Sequence, residues 1–332
     1  MRAIEIIGTG SCVPHHTITN DELAQSIDTS DAWIYPRTGI HAREFCTARQ
    51  STVTMAIEAA RKAVDDAGIP VTGIRAVLAA TMSPDFSTPS TACFVSEALK
   101  LREDTAALDL NAACSGFIYA LETARGILSG IQEMEQGDAS LYALVIGAEQ
   151  LSRLLKLEDR TTSVLFGDGA GAVIVKLTEA GRSDYAVTLG SRGSRDILAP
   201  GLYTGAIDKS VDHMVMDGKA VFVFAVEIIP RLIERVLRLS GSDLAQIDYV
   251  LCHQANARII RHVVRKLQVP EAKFPMNMER LGNTSAASIP ILLDEMHGNG
   301  TLRGGEKLLL AGFGGGLTFG GMQLRFRPED RT

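Results

Sequence analysis

Apolar residues along this chain of 332 residues fall into short blocks whose spacing switches repeatedly between strand-like and helix-like. Thr105 to Leu110 alternates and is apolar enough for a buried strand. Directly after it Phe117, Leu121, Ala124 and Leu128 recur at i, i+4, i+7 and i+11, with Glu122 and Arg125 on the other face, which predicts an amphipathic helix. The fullest helix signal is Ser51 to Gly68, where Ser51 or Thr52 serves as cap, Val53, Ile57, Ala60 and Val64 make one stripe, and Gly68 is the stop. Strands are predicted from Met1 towards Gly8, over Ala76 to Thr81 and over Tyr142 to Ala148, and a further helix near Thr91 to Leu99. Phe166-Gly167-Asp168-Gly169-Ala170-Gly171 runs straight into the apolar Ala172-Val173-Ile174-Val175. Those glycines precede a strand where phosphate binding would want a helix, so they predict close backbone packing.

The second half repeats this order. A long helix, Ala220 to Leu239, bent by Pro230, leads through Gly241 and Ile247-Asp248 into a strand at Tyr249 to Cys252, as Ala59 to Ala80 does in the first half. Met276 to Leu281, taken as the counterpart of the strand before Cys114, leads through Gly282-Asn283-Thr284-Ser285 into a helix over Ala286 to Met296. Lys307 to Gly312 matches Tyr142 to Gly147, and Phe313 to Gly320 matches the glycine-rich stretch at Phe166. The expectation is an α/β chain of two βα-rich halves, 1–178 and 179–332, packed as one unit and meeting in a loop-rich region near 178 to 215.

Composition narrows the classes. A content of 46% hydrophobic and 22% charged residues is ordinary for a soluble globular protein, and a net charge of −6 argues against general nucleic-acid binding. No apolar run approaches membrane-spanning length, and the chain opens on a strand without the features of a signal peptide. Cys12, Cys46, Cys93, Cys114 and Cys252 are scattered without a CxxC, so reduced thiols in a cytoplasm are expected and zinc is not. Gly8-Thr9-Gly10 lacks the third glycine and the following helix of a dinucleotide loop, and is read as a plain turn.

The candidate chemistry sits after strands. Cys114 falls in the tight turn before a helix, where free amide hydrogens and the positive helix end favour thiolate; the alternative is a small buried hydrophobe. His253 follows an apolar strand in Cys252-His253-Gln254-Ala255-Asn256-Ala257-Arg258, and Asn283 lies in the polar stretch Gly282 to Pro290. Residues beyond the carboxyl ends of strands line the sites of open α/β sheets, so Cys114, His253 and Asn283 are candidates for one cleft. Trp33, with Arg37 four positions on, either offers a flat face and a cation to an adenine or phosphate, or is a surface-packed tryptophan. Arg258, Arg261 and Arg265, with Lys266 beside them, form a basic helical stripe that is either a solvated face or a docking surface for an acidic partner.

Seven stretches in order resemble the β-ketoacyl-acyl-carrier-protein synthase III family: Gly8-Thr9-Gly10-Ser11; Asp31-Ala32-Trp33-Ile34 with Arg37-Thr38-Gly39-Ile40; Ala112-Ala113-Cys114-Ser115-Gly116-Phe117; the Phe166 stretch; His253-Gln254-Ala255-Asn256; Gly282 to Ser288; and Phe313-Gly314-Gly315-Gly316. The resemblance implies a thiolase-like fold, a duplicated five-layered αβαβα arrangement, a homodimer, and initiation of type II fatty acid synthesis with acyl-CoA and malonyl-acyl-carrier-protein as substrates and no cofactor or metal. By resemblance Cys114 takes the acyl group, His253 and Asn283 stabilise the enolate formed on decarboxylation, and the N–H groups of Cys114 and Gly315 form the oxyanion hole. Thr29, Trp33, Arg37, Arg153 and Asn256 are implied for CoA, with Trp33 and Arg153 on the adenine. Thr88 and Phe313 are implied for the acyl pocket, and Gln254, Ala255, Asn256, Ala257, Arg258, Arg261, Arg265 and Lys266 for carrier-protein docking. Acetyl-selective members often carry Phe before the proline that here is Pro89; Thr88 in its place predicts a primer longer than acetyl. Retention of both His253 and Asn283 favours decarboxylative condensation over plain acyl transfer. An enzyme of secondary metabolism, a cysteine hydrolase and a non-catalytic CoA-binding protein are the competing readings.

Overall fold

The computed structural model describes residues 1–135, 140–201, 208 and 211–328. Its strands are β1 (Arg2–Cys12), β2 (His16–Thr19), β3 (Ala42–Phe45), β4 (Ile74–Ala80), β5 (Ala106–Leu110), β6 (Tyr142–Glu149), β7 (Gly169–Glu179), β8 (Ala186–Ser191), β9 (Ile197–Leu198), β10 (Val215–Met216), β11 (Tyr249–Cys252), β12 (Lys307–Gly314) and β13 (Thr318–Phe326). Nine of them form one mixed sheet in the order β11-β12-β13-β1-β7-β6-β4-β5, with β8 on the far side of β13. The two runs of this sheet join where β1 lies parallel to β13, paired at Glu5 with Arg325 and Ile6 with Phe326.

Side-chain alternation turns the strands into walls between layers. On β4, Ala76, Leu78 and Ala80 face a central layer, while Val77 and Ala79 face outwards. Leu308 and Leu310 of β12 face the same centre, and Leu309 and Ala311 face the opposite outside. The central layer holds Phe117, Leu121 and Leu128 of the helix Gly116–Glu135, and Ile289, Leu293 and Met296 of the helix Ser288–Gly298. One outer layer is the helix Thr52–Ala67 with Met55, Ala59 and Ala63 inward. The other outer layer combines Phe224, Ile229 and Val236 of the helix Gly218–Ser240 with Ile259 and Val263 of the helix Ala257–Leu267. The result is the helix, sheet, helix, sheet, helix stack. Strands covered on both faces explain the continuous apolar runs, and each fully buried Val, Leu or Ile contributes roughly 1.5–3 kcal/mol. Among the described residues no helix is long and apolar enough to cross a membrane.

Local signals hold where they are strong. Ser51 caps the helix Thr52–Ala67 through Thr54, and Gly68 ends it in the left-handed conformation at φ 63°. The helix Gly218–Ser240 runs through Pro230 unbroken. Two expectations are corrected. Gly8-Thr9-Gly10 is not a turn but the middle of β1, and its glycines exist because the helix Thr52–Ala67 lies on them: a Cβ on Gly10 would stand 2.4 Å from the Ala59 carbonyl oxygen, and one on Gly8 2.6 Å from the Ala67 Cβ. The segment before Gly282 is not a strand but a single helical turn, Met278–Leu281. The backbone beyond it pairs with the stretch before β7, Asn283 N donating to Leu165 O at 2.8 Å and Gly167 N to Asn283 O at 3.0 Å.

Candidate active site

A cavity of about 1090 Å³ opens beyond the ends of β5, β11 and β12, and Cys114, His253 and Asn283 all line it. Cys114 sits in a 3₁₀ turn, Ala113–Ser115, between β5 and the helix Gly116–Glu135. The turn is tied to the start of β13. Thr318 Oγ1 donates to Ala112 O at 2.7 Å, and Ser115 Oγ lies 2.8 Å from Thr318 Oγ1. β12 presses on the nucleophile from the other side, where a Cβ on Gly314 would fall 2.5 Å from Cys114 N. Only glycine fits there. Gly315 lines the cavity next in sequence.

The expectation that the helix end makes Cys114 a thiolate is not met in this closed site. Burial pushes the thiol up to about 12, against opposing hydrogen bonds from the Ser285 side chain and at its own backbone. The resting sulfur therefore carries its proton.

His253 is also enclosed. Its backbone N–H donates to Ala311 O at 2.8 Å, Nδ1 lies 2.8 Å from Ser288 Oγ, and the ring stands edge-on to Phe313 with centroids 5.6 Å apart. Burial pulls its pKa down to about 3, so the imidazole is neutral, and the Ser288 contact leaves Nε2 for a ligand. Asn283 Oδ1 accepts from Ser285 N at 2.9 Å, which leaves the Nδ2 amide as a donor. Beneath Asn283 lies Arg43, fully buried, its guanidinium donating to Val164 O at 2.7 Å and Ile18 O at 3.0 Å. The backbones of Gly167 and Gly282 close on its Cβ. Burial lowers the Arg43 pKa to about 10.

At the outer end of the cavity the guanidinium carbons of Arg37 and Arg160 stand 4.7 Å and 4.5 Å from the Trp33 ring centre. Arg37 donates to Trp33 O at 3.0 Å, Arg160 to Asp28 O at 2.7 Å, and Asn256 Nδ2 to Arg37 O at 3.0 Å. Arg153 is a correction: its guanidinium is committed to the loop after β4, through Asp85 at 2.8 Å and the carbonyls of Ser83 and Pro84, and it does not line the cavity. Arg160 takes the place expected for it. No local pattern linked Arg160 to Trp33, because they lie far apart in the chain. Thr29 precedes the Ser30 cap of the helix Asp31–Thr38 and lies outside the cavity.

The remaining expectations divide by burial. Phe313 lines the cavity, but Thr88 is exposed and lies outside it. Gln254 is fully buried, donating to Cys252 O at 2.8 Å and accepting from Asn277 N at 3.1 Å, so it is internal scaffolding with no docking face. Ala257 is buried under Gly39 and offers none either. Ala255, Asn256 and Arg258 line the cavity, and Arg258, Arg261, Arg265 and Lys266 are exposed, Arg261 paired with Glu271 at 3.2 Å.

Comparison with known proteins agrees along the whole chain. A family model for 3-oxoacyl-[acyl-carrier-protein] synthase III matches residues 108–193, and one for the C-terminal part of the same synthase matches residues 237–326. A curated β-ketoacyl-[acyl-carrier-protein] synthase III of Clostridium acetobutylicum is 41% identical over 98% of this chain and 99% of its own. The crystal structure of 3-oxoacyl-[acyl-carrier-protein] synthase III from Aquifex aeolicus superposes with a TM-score of 0.86 at 39% identity, covering 98% of this chain and 100% of that one. The priming β-ketosynthase from the R1128 polyketide biosynthetic pathway superposes at 0.88 with 32% identity, over 98% and 96%.

Proposed function

The chain belongs to the β-ketoacyl-[acyl-carrier-protein] synthase III family, condensing acyltransferases of fatty acid synthesis, and from that premise we propose how its own residues carry the condensation. The Cys114 sulfur attacks the thioester carbonyl of an acyl-CoA; the S–C bond forms and CoA leaves as its thiolate. The N–H groups of Cys114 and Gly315 hold the tetrahedral oxyanion, where one such donor contributes about 3 kcal/mol. Malonyl-carrier-protein then enters, its carboxylate leaves as CO₂, and the electron pair passes to an enolate. Ser288 donating to Nδ1 places the proton of neutral His253 on Nε2, so that Nε2–H and the Asn283 amide are the two donors for the enolate oxygen. The enolate carbon attacks the acyl-cysteine, and the β-ketoacyl-carrier-protein leaves. Covalent storage suits a reaction that must exchange one carrier for another.

The observation that carries this reading is the convergence of Cys114, His253, Asn283 and Gly315 on one cavity. We read residues 1–178 and 179–332 as two βα-rich units, the first supplying the nucleophile and the second the two enolate donors. The CoA nucleotide is assigned to Trp33 with Arg37 and Arg160 beside it, and the acidic carrier protein to Arg258, Arg261, Arg265 and Lys266. A homodimer is supported by β5, a half-buried sheet edge, and by Phe86, 54% exposed and paired with Phe94 at 5.4 Å beside Thr88. A second copy covering this face would carry Thr88 to its own cavity, and the smaller side chain would admit a primer longer than acetyl. The polyketide-priming neighbour supports a second reading, a starter enzyme of secondary metabolism; the favoured primer separates the two. Incubation with acyl-CoAs of two to eight carbons, read by intact mass, is expected to give an acyl adduct that Cys114→Ala abolishes. A folded protein without adduct from any acyl-CoA refutes the assignment.

A further inference from the structure

The condensation leaves the buried carboxylate of Glu149 without a task. Glu149 ends β6 and is fully buried. Its Oε2 accepts from Ser83 Oγ at 2.5 Å and from Thr81 Oγ1 at 3.3 Å, while Met82 N lies 3.3 Å and 3.2 Å from its two oxygens. Its remaining neighbour is the Ser285 side chain, which also reaches Cys114. Ser285 is held in that position. Its backbone is in the left-handed region at φ 49°, its N–H donates to Asn283 Oδ1 at 2.9 Å, and its hydroxyl lies 3.9 Å from Met82 Sδ. The end of β6 is pressed against this turn, since a Cβ on Gly147 would stand 2.2 Å from the Ala286 carbonyl oxygen.

Among the described residues no cation pairs with the carboxylate. The charged and titratable groups on the surrounding elements are Cys114 on the nucleophile turn, Asp168 before β7 and Arg153 after β6. Asp168 is committed to Cys46 N and Ser152, and Arg153 to Asp85 and the Ser83 and Pro84 carbonyls. Burial lifts Glu149 to about 7, which makes it a better proton acceptor than His253, held near 3. Acylation needs such an acceptor, because the resting thiol keeps its proton.

We propose that Glu149 stores the Cys114 proton during the acyl-enzyme stage, with the Ser285 hydroxyl as the relay between them; this rests on Cys114 being the nucleophile. As sulfur bonds to the acyl carbon, its S–H bond breaks, Ser285 Oγ takes that proton and passes its own to Glu149. The departing CoA thiolate takes a proton from solvent. After the C–C bond forms, the expelled Cys114 thiolate recovers the stored proton by the reverse route and Glu149 is again a carboxylate. One solvent proton is consumed per turnover, as decarboxylative condensation requires.

The test is the pH dependence of Cys114 alkylation by iodoacetamide, read by mass on the Cys114 peptide, in the full-length wild type, Glu149→Gln, Glu149→Asp and Ser285→Ala, with thermal unfolding of each. The wild type and Glu149→Asp are expected to show a limb near neutrality. In Glu149→Gln and Ser285→Ala that limb moves up by more than about one unit, so reactivity at pH 7 falls roughly tenfold or more while the melting temperature holds. An unmoved limb, or a fall equal at every pH, overturns the proposal, and Ser285→Ala decides alone if Glu149→Gln does not fold. Alkylation needs no acyl donor: a neutral limb in a protein that takes no acyl group would refute the condensation reading and leave the relay standing.

Discussion

Gly314→Ala is the most direct test of how the nucleophile is framed. Gly314 has φ −169°, an extended conformation open to any residue, so the cost of the substitution is contact alone. The new Cβ would lie 2.5 Å from Cys114 N, 3.0 Å from its Cβ and 3.1 Å from its Cα. Reaching ordinary contact, which begins near 3.4 Å, needs a shift of about 0.9 Å against Cys114 N. The obstructing atom is backbone, so no rotamer relieves it. Both partners are pinned, Gly314 by its register with Thr318 and the nucleophile turn by the Thr318 bond to Ala112 O. Overpacking of this kind costs about 1–3 kcal/mol. A separation of the Cys114 and Gly315 amides on this scale is expected to slow acylation on the order of 100-fold. Stopped-flow or quench measurement of acyl-enzyme formation at saturating acyl-CoA, beside thermal unfolding, reads both effects. Gly126→Ala, in the nucleophile helix with open space around its Cβ, is the control and should stabilise by about 0.5–1 kcal/mol. A Gly314→Ala protein that melts with the wild type and acylates within about twofold of it would show that this approach does not govern the oxyanion geometry.

Stability should fall on the alkaline side. Burial holds Cys114 and Cys252 near 12, whereas the unfolded thiols ionise from about 9, so the unfolded chain binds fewer protons above pH 9 and stability drops until about 12. Each of the two lowers unfolding free energy by about 1.4 kcal/mol between pH 8 and pH 10, measurable in urea, and Cys12 and Cys46, also raised by burial, add to the drop, so Cys252→Ala should remove only its own share of about 1.4 kcal/mol; equal values at the two pH values would contradict the buried-thiol argument. Arg160→Ala should raise KM for acyl-CoA about 2–5-fold with kcat held, as loss of a cation beside an aromatic ring predicts. Arg153→Ala should instead loosen the Ser83–Asp85 loop and lower the melting temperature, and the reverse pattern would return Arg153 to the nucleotide site. Arg265→Glu with Lys266→Glu should raise KM for carrier protein on the order of tenfold and flatten its salt dependence, leaving acyl-CoA acylation unchanged. Carrier-protein kinetics that ignore both charges would remove the docking assignment.

The sequence by itself determined what short spacing encodes. The helices at Thr52–Ala67 and Gly116–Glu135, the strand before Cys114, the βα order of both halves and the placing of Cys114 and His253 after strands follow from periods of two and 3.6 that any dozen residues carry. Seven motifs in order made the family legible, and with it Asn283, whose local segment was misread because its backbone hydrogen bonds go to residues 165–167 and not to a neighbouring strand. Tertiary packing decided the rest. It made Gly8 and Gly10 a seat for a helix, put Arg160 in place of Arg153 beside Trp33, and turned Gln254 and Ala257 inward while leaving the basic side chains of the same stretch in water. It also decided ionisation, because desolvation depends on every layer around a group: the helix end favours a Cys114 thiolate, yet enclosure keeps the thiol, and the same enclosure sets Glu149 beside Ser285 from a distant part of the chain.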